Sequence, residues 1–198
     1  MKVEIIFATH NVHKVKEANQ IIGKNIKLIS LKDLGYNKEI EEPFLSLEEN
    51  SLTKAMTVFE IFGKSVIAED TGLEVKALLG EPGVFSARYA GQNASDNENI
   101  NKLLKKLEQF SDRTARFRTV LTFIANDDTK MQFEGVIDGK ISTEPKGTRG
   151  FGYDPVFIPK GYNNTFAELG DEIKKKLSHR AVAFNSLNEF LKSFKKSD

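Results

Sequence analysis

The chain has 198 residues, 39% of them hydrophobic, and 29 Lys and Arg stand against 28 Asp and Glu for a net charge of +1. That length supports one substantial core with no linker to split it, so a single domain over residues 1–198 is expected, and the balanced charge leaves no general field toward nucleic acid or an anionic membrane. There is no cysteine, which removes disulfide and thiolate chemistry, and neither a signal peptide nor an apolar run of roughly 18 residues is present, so a cytoplasmic protein is expected.

In chain order, Val3 to Ala8 is a short apolar strand, and a polar turn leads into a helical pattern through Val15, Ala18, Ile21 and Ile22 to Gly23. Ser46 to Glu49 has capping-box spacing, after which Leu52, Ala55, Met56, Phe59 and Phe62 recur at helical spacing until Gly63. Ser65 to Asp70 reads as a buried strand. A second capping box, Ser95 to Glu98, opens a helix carrying Ile100, Leu103, Leu104 and Leu107 on one face. Phe117 to Ala125 and Lys130 to Ile137 read as a hairpin joined by Asn126 to Thr129. The last helix is expected over His179 to Phe194, with Ser178 as its N-cap and Ala183, Phe184, Leu187, Phe190, Leu191 and Phe194 on its apolar face. Helices interleaved with strands and a hairpin define an α/β protein with a mixed sheet.

Four segments carry chemistry. Thr9 to Lys14 falls where the first strand meets the first helix, a place that offers amides and a positive dipole end to a phosphate, with Lys14 adding a full charge. The spacing is not that of a Walker A loop, and a simple helix start, with Asn11 as cap and Lys14 in solvent, accounts for it equally. At Ala68 to Val75 an apolar strand is expected to end in Glu69 and Asp70, followed by Thr71 and a glycine. Ligands of open α/β sheets bind beyond such strand ends, and strand alternation aims only one of the two carboxylates at a site. Another acidic pair, Glu41 and Glu42, precedes the Ser46 helix. Oxygen ligands without cysteine suit magnesium, held by one or two carboxylates plus phosphates and water, while an acidic turn is the competing account.

Gly147 to Phe157 joins three glycines, Arg149, Phe151, Tyr153 and Asp154. The glycines permit a close backbone approach, the Arg149 fork suits phosphate, and Phe151 and Tyr153 are expected to face a flat ring; the alternative is an ordinary turn into a strand. Lys174 to Arg180 places cations, a hydroxyl and an imidazole at the expected start of the last helix, where they oppose its dipole. A bound anion or base explains that, as does a solvated basic face.

Taken together these segments resemble the inosine triphosphate pyrophosphatase family nearly end to end. The resemblance rests on Thr9-x-Asn11-x-x-Lys14, on Glu49 with Asn50, on Ala68-x-Asp70-Thr71-Gly72-Leu73, and on Ser86 through Gly91. It is completed by Gly147-x-x-Gly150 through Pro155 and by Ser178-His179-Arg180. It implies an elongated mixed β-sheet flanked by helices, a homodimer, and magnesium-dependent hydrolysis of ITP, dITP and XTP to the monophosphate and pyrophosphate. By the same resemblance Thr9, His10, Asn11, Val12, His13 and Lys14 form the triphosphate loop, and Asp70 is the catalytic carboxylate. Glu41 and Asp70 are the metal positions, and Thr71 touches substrate. Phe151, Gly152, Tyr153 and Asp154 enclose base and sugar, Lys174 contacts substrate, and His179 with Arg180 reads the purine. Two departures stand out. His10 and His13 replace small residues, and Glu69 replaces the more usual aspartate. A related pyrophosphatase for modified pyrimidine nucleotides and a noncatalytic nucleotide sensor are the other readings, and a nucleic-acid binder fits the charge least.

Overall fold

The structure, a computed structural model, describes residues 2–125 and 129–194. Its strands are β1 (Val3–Phe7), β2 (Ile26–Ser30), β3 (Val66–Val75), β4 (Pro82–Gly83), β5 (Thr114–Ile124), β6 (Lys130–Ile141) and β7 (Phe157–Pro159). The helices are α1 (Val12–Ile21), α2 (Leu47–Phe62), α3 (Asp96–Lys106), α4 (Phe166–Leu169), α5 (Asp171–Leu177) and α6 (His179–Phe194), with short 3₁₀ turns at Lys76–Leu78 and Ser86–Arg88. The strand order is β2-β1-β3-β5-β6-β7, and β4 pairs with β3. The sheet is mixed: β1 runs parallel to β2 and β3, while β4 on β3 and β7 on β6 are antiparallel. Most of the connection expected at Asn126 to Thr129 lies outside the described residues. Among the described residues no helix is long and apolar enough to cross a membrane.

The chain forms two compact units. Of the described residues, the first comprises 2–70, 119–125, 129–135 and 180–194; the second comprises 71–118 and 136–179. In the first, strand alternation loads both sheet faces. Ile5, Phe7, Ile67, Leu121 and Phe123 pack with Ala18 of α1, with Ile22 at its C-cap, and with Ala183, Phe184, Leu187 and Leu191 of α6. Ile6, Ala8, Val66, Ala68 and Ile124 turn the other way, onto Ala55 and Val58 of α2. In the second unit Leu73, Val75, Phe117, Ile141 and Phe157 form a core with Ile100, Leu103 and Leu107 of the α3 segment and with Tyr153 and Phe166.

Helix ends follow their caps. Ser46 accepts from the Glu49 amide to start α2, and Gly63, left-handed at φ 59°, stops it. Ser95 and Glu98 make the reciprocal capping box of α3. Several boundaries differ from the sequence expectation: β5 starts at Thr114 rather than Phe117, and β6 runs to Ile141 rather than Ile137. β3 runs five residues past Asp70, because Gly72 lets β4 approach: a Cβ there would lie 2.7 Å from the Gly83 carbonyl oxygen. The lysine run is not at the start of α6 but in the last turn of a separate helix, α5, where the dipole favours cations. Ser178, in extended conformation, closes α5 immediately before α6 begins.

Candidate active site

In the first unit the site follows from the period of β3. Ile67 lies on the α1/α6 face and Ala68 on the α2 face. Glu69 therefore shares the face of α1 and α6, and Asp70 that of α2. Extension of the strand to Val75 puts both carboxylates in mid-strand rather than at the strand end the sequence suggested.

Asp70 is 5% exposed. Its Oδ2 accepts from Asn50 Nδ2 at 3.2 Å, and its Oδ1 lies 3.5 Å from Lys54 Nζ. The Lys54 ammonium also pairs with Glu42. Asn50 and Lys54 stand one turn apart on the buried stripe of α2, which otherwise reads Leu47, Ser51, Ala55 and Val58. Asn50 further exchanges hydrogen bonds with the backbone of Phe44, at 2.9 and 3.0 Å, so the acidic loop is tied to the same helix turn. Burial raises the Asp70 carboxyl above its ordinary value; Lys54, Lys14 and the Asn50 amide oppose that rise, and Glu42 adds to it. Glu41, the metal position implied by the resemblance, is exposed, and the acid that shares an ammonium with Asp70 is Glu42.

On the opposite face Glu69 meets two cations, Lys14 and Arg180. Its Oε1 is 3.2 Å from Lys14 Nζ, and Arg180 donates Nε and Nη2 to its two oxygens at 2.9 and 2.7 Å. Arg180 also donates Nη1 to Glu17 at 2.5 Å. Burial pushes Glu69 upward, but Arg180 and Lys14 outweigh it and hold the carboxyl well below the usual range; Arg180 is raised in return by Glu69 and Glu17 against its own burial. Arg180, assigned to the purine by resemblance, is thus 1% exposed and committed to carboxylates of the sheet and α1.

The loop before α1 carries the remaining residues of this unit. Asn11 does cap α1: its Oδ1 accepts from the His13 and Lys14 amides at 2.9 and 3.2 Å, while Thr9 Oγ1 accepts from the Asn11 amide at 3.1 Å. Those two amides are therefore engaged within the helix start. Lys14, by contrast, is not in open solvent but on Glu69. Val12 and His13 are exposed, and His10 stacks on Tyr36 with its Nε2 3.0 Å from the Lys38 carbonyl, which links this loop to the one leading to Glu41 and Glu42.

In the second unit Asp154 organises the glycine-rich segment. Its Oδ2 accepts from the Phe151 amide at 2.9 Å and pairs with Lys174, and both charged side chains are buried. The Lys174 ammonium sits 4.5 Å from the centroid of the Phe151 ring. Gly150, at φ 80°, lies directly against the Asp154 carboxyl, so a Cβ has no room there. The Gly152 amide donates to Asp96 of α3 at 2.6 Å. Tyr153 does not present its ring as the sequence suggested: it is 4% exposed, it belongs to the core, and its hydroxyl donates to the Ser86 carbonyl at 2.9 Å. The Arg149 guanidinium packs over Gly170. His179 is buried and stacks on Phe117 at 4.7 Å, and Thr71 is half-buried at the start of this unit.

Sequence reasoning passed over Glu17, Lys54 and Asp96, and named Glu42 only as the neighbour of Glu41. Lys54 lies off the spacing of Leu52, Ala55, Met56, Phe59 and Phe62 that marked the apolar face in the sequence, and Leu52 is in fact exposed, so only the structure puts Lys54 on the buried stripe. For Glu17 and Asp96 no local pattern marks them.

Fold and side chains together define an α/β protein with a buried carboxylate on each face of one sheet strand, each held by cations. The chain belongs to the Ham1 family, whose model matches residues 5–190. It is 45% identical over 189 residues to a protein of Christiangramia forsetii named dITP/XTP pyrophosphatase, covering 96% of this chain and 99% of that one. A Bacillus licheniformis protein of the same name is 47% identical over 193 residues, covering 95% and 97%. Among solved structures the Ham1 protein of Staphylococcus aureus superimposes with a TM-score of 0.87 at 40% identity, covering 96% of this chain and 98% of that one.

Proposed function

We propose that this chain hydrolyses deaminated purine nucleoside triphosphates, ITP, dITP and XTP, to the monophosphate and pyrophosphate, as a magnesium-dependent enzyme acting as a cytoplasmic homodimer. The observation that carries the reading is Asp70: a buried carboxyl, raised by burial, held by an amide and sharing an ammonium with a second acid. Perturbed carboxyls of this kind fit general-base work. The names of the relatives supply the substrate class.

Asp70 orients a water and takes its proton as the water oxygen bonds to the α-phosphorus; the bond to the bridging oxygen breaks, and pyrophosphate leaves. Lys14 and the Thr9 to His13 loop bind the phosphates. Among the described residues no three or more His, Asp or Glu gather into a closed metal cage. Asp70 and Glu42 on one ammonium instead fit an open site, which substrate phosphates and water complete, and these two residues would hold magnesium. Magnesium supplies charge neutralisation of the phosphate oxygens. Glu41, exposed a residue away, is the alternative ligand. Phe151, Gly152 and Asp154 with Lys174 are assigned to base and sugar, and His179 to the purine; Arg180, given to the purine by the resemblance, is instead held by Glu69 and Glu17. Selection rests on the 6-keto oxygen, since donors aimed at it are left facing the amino group of adenine.

The test is ³¹P NMR with ITP, dITP, XTP, GTP, ATP and dTTP, each with magnesium and with chelator. Magnesium-dependent pyrophosphate from the first three alone is expected. Pyrophosphate mainly from dTTP would move the base assignment to pyrimidines, and silence from all six would leave a nucleotide sensor.

A further inference from the structure

We propose that Glu69 is a positioning residue of this enzyme, a single buried carboxylate that aims the Lys14 ammonium at the triphosphate and anchors Arg180; the proposal rests on the pyrophosphatase reading above. Glu69 is buried in mid-strand on the α1/α6 face of β3, and its side chain is 0% exposed. Lys14 from α1 meets its Oε1 at 3.2 Å, and Arg180 from α6 spans both oxygens at 2.7 and 2.9 Å. The guanidinium fork fixes the plane of the carboxylate, because two parallel N–H donors admit only one in-plane arrangement. Glu17, one helix turn after Lys14 in the sequence of α1, closes the set by accepting from Arg180 at 2.5 Å. Two cations and two carboxylates thus form a charge-balanced network across β3, α1 and α6.

The network gives Lys14 a defined direction. Its stem leaves α1, its ammonium is tied to Glu69, and the side chain keeps 19% exposure, so a ligand can still reach it. An untethered lysine has to lose its rotamer freedom on each binding event, whereas here folding has already removed part of it. The same carboxylate holds Arg180. Glu69 is separated in role from Asp70 by strand alternation alone: one carboxylate orders cations, and the other, on the α2 face, stands with Glu42 and Lys54.

The experiment compares the full-length chain with Glu69→Gln, Glu69→Asp and Glu17→Gln, measuring steady-state pyrophosphate release from ITP, the magnesium concentration for half-maximal rate, and ITP binding in chelator. For Glu69→Gln we expect KM and the chelator Kd to rise roughly tenfold or more, kcat to stay within about threefold, and the magnesium requirement not to move. Glu69→Asp recovers part of the loss, because the charge is kept and only the reach is shortened, and Glu17→Gln shows a smaller rise in KM. Unchanged KM and Kd in a folded Glu69→Gln protein overturn the proposal, as does a shifted magnesium requirement, which would make Glu69 a metal ligand. If Glu69→Gln does not fold, the Asp and Glu17→Gln variants decide. If the unaltered chain releases no pyrophosphate, the pyrophosphatase reading fails by itself, and the chelator Kd still reports whether Glu69 positions a nucleotide-binding lysine.

Discussion

Asp70 and Glu69 are adjacent carboxylates with opposite electrostatic fates. Asp70 is raised by burial, so its ionised form, the one able to accept a proton, is lost at a higher pH than for an ordinary aspartate at 3.8. Asp70→Asn is expected to lower kcat roughly 10²-fold or more with the fold retained, read by steady-state kinetics beside circular dichroism. Lys54 pulls the Asp70 carboxyl down, so Lys54→Met should move the acid limb of the kcat profile to higher pH; a limb that stays in place would separate Lys54 from Asp70. Glu69 has the reverse sign. Its folded carboxyl lies below its ordinary 4.5, so its ionisation stabilises the fold above that pH and the contribution fades as the pH drops below it. Glu69→Gln leaves Arg180 short of a partner and should cost about 3–5 kcal/mol near neutrality, while flattening the decline of Tm between roughly pH 5 and pH 3. The sequence marked both residues as chemically loaded but could not divide their roles, since the division depends on Arg180 and Lys54, which contact them from distant points in the chain.

At the scale of elements, caps were the most legible feature. α2 occupies the span its cap and apolar spacing indicate, α6 the span its apolar spacing indicates, and α3 opens at its capping box. Ser46→Ala should reduce stability by about 1 kcal/mol through loss of the α2 cap, seen as a lower urea midpoint at unchanged m. β3 was misread for a physical reason. Glu-Asp-Thr-Gly has the composition of a turn, yet each charge finds a partner outside the strand and Gly72 admits β4, so tertiary contacts override local preference. Gly72→Ala sets a Cβ 2.7 Å from the Gly83 carbonyl oxygen and should destabilise the second unit, visible as a lowered Tm. The short helix α5 escaped notice because its seven residues are too few to show a period.

For the whole molecule, the sequence conveyed the α/β class and the mixed sheet, but not the partition into two units, since neither unit is one continuous stretch of chain. The first unit closes its core with α6, whose Ala183, Phe184, Leu187 and Leu191 pack with residues of β1, β2 and α1. Deleting α6 should abolish cooperative unfolding rather than lower its midpoint, which a urea titration followed by tryptophan-free fluorescence of tyrosine or by circular dichroism will show. This arrangement also sets a clock on synthesis. About 150 residues separate β2 from α6, so at ribosomal speeds of roughly 5–20 residues per second the apolar α6 side of β1 waits roughly 8–30 s for its cover. During that interval Ile5, Phe7, Ile26 and Leu28 lack the helix that completes their packing, and the nascent chain is most exposed to chaperones, proteases and its own neighbours on the polysome.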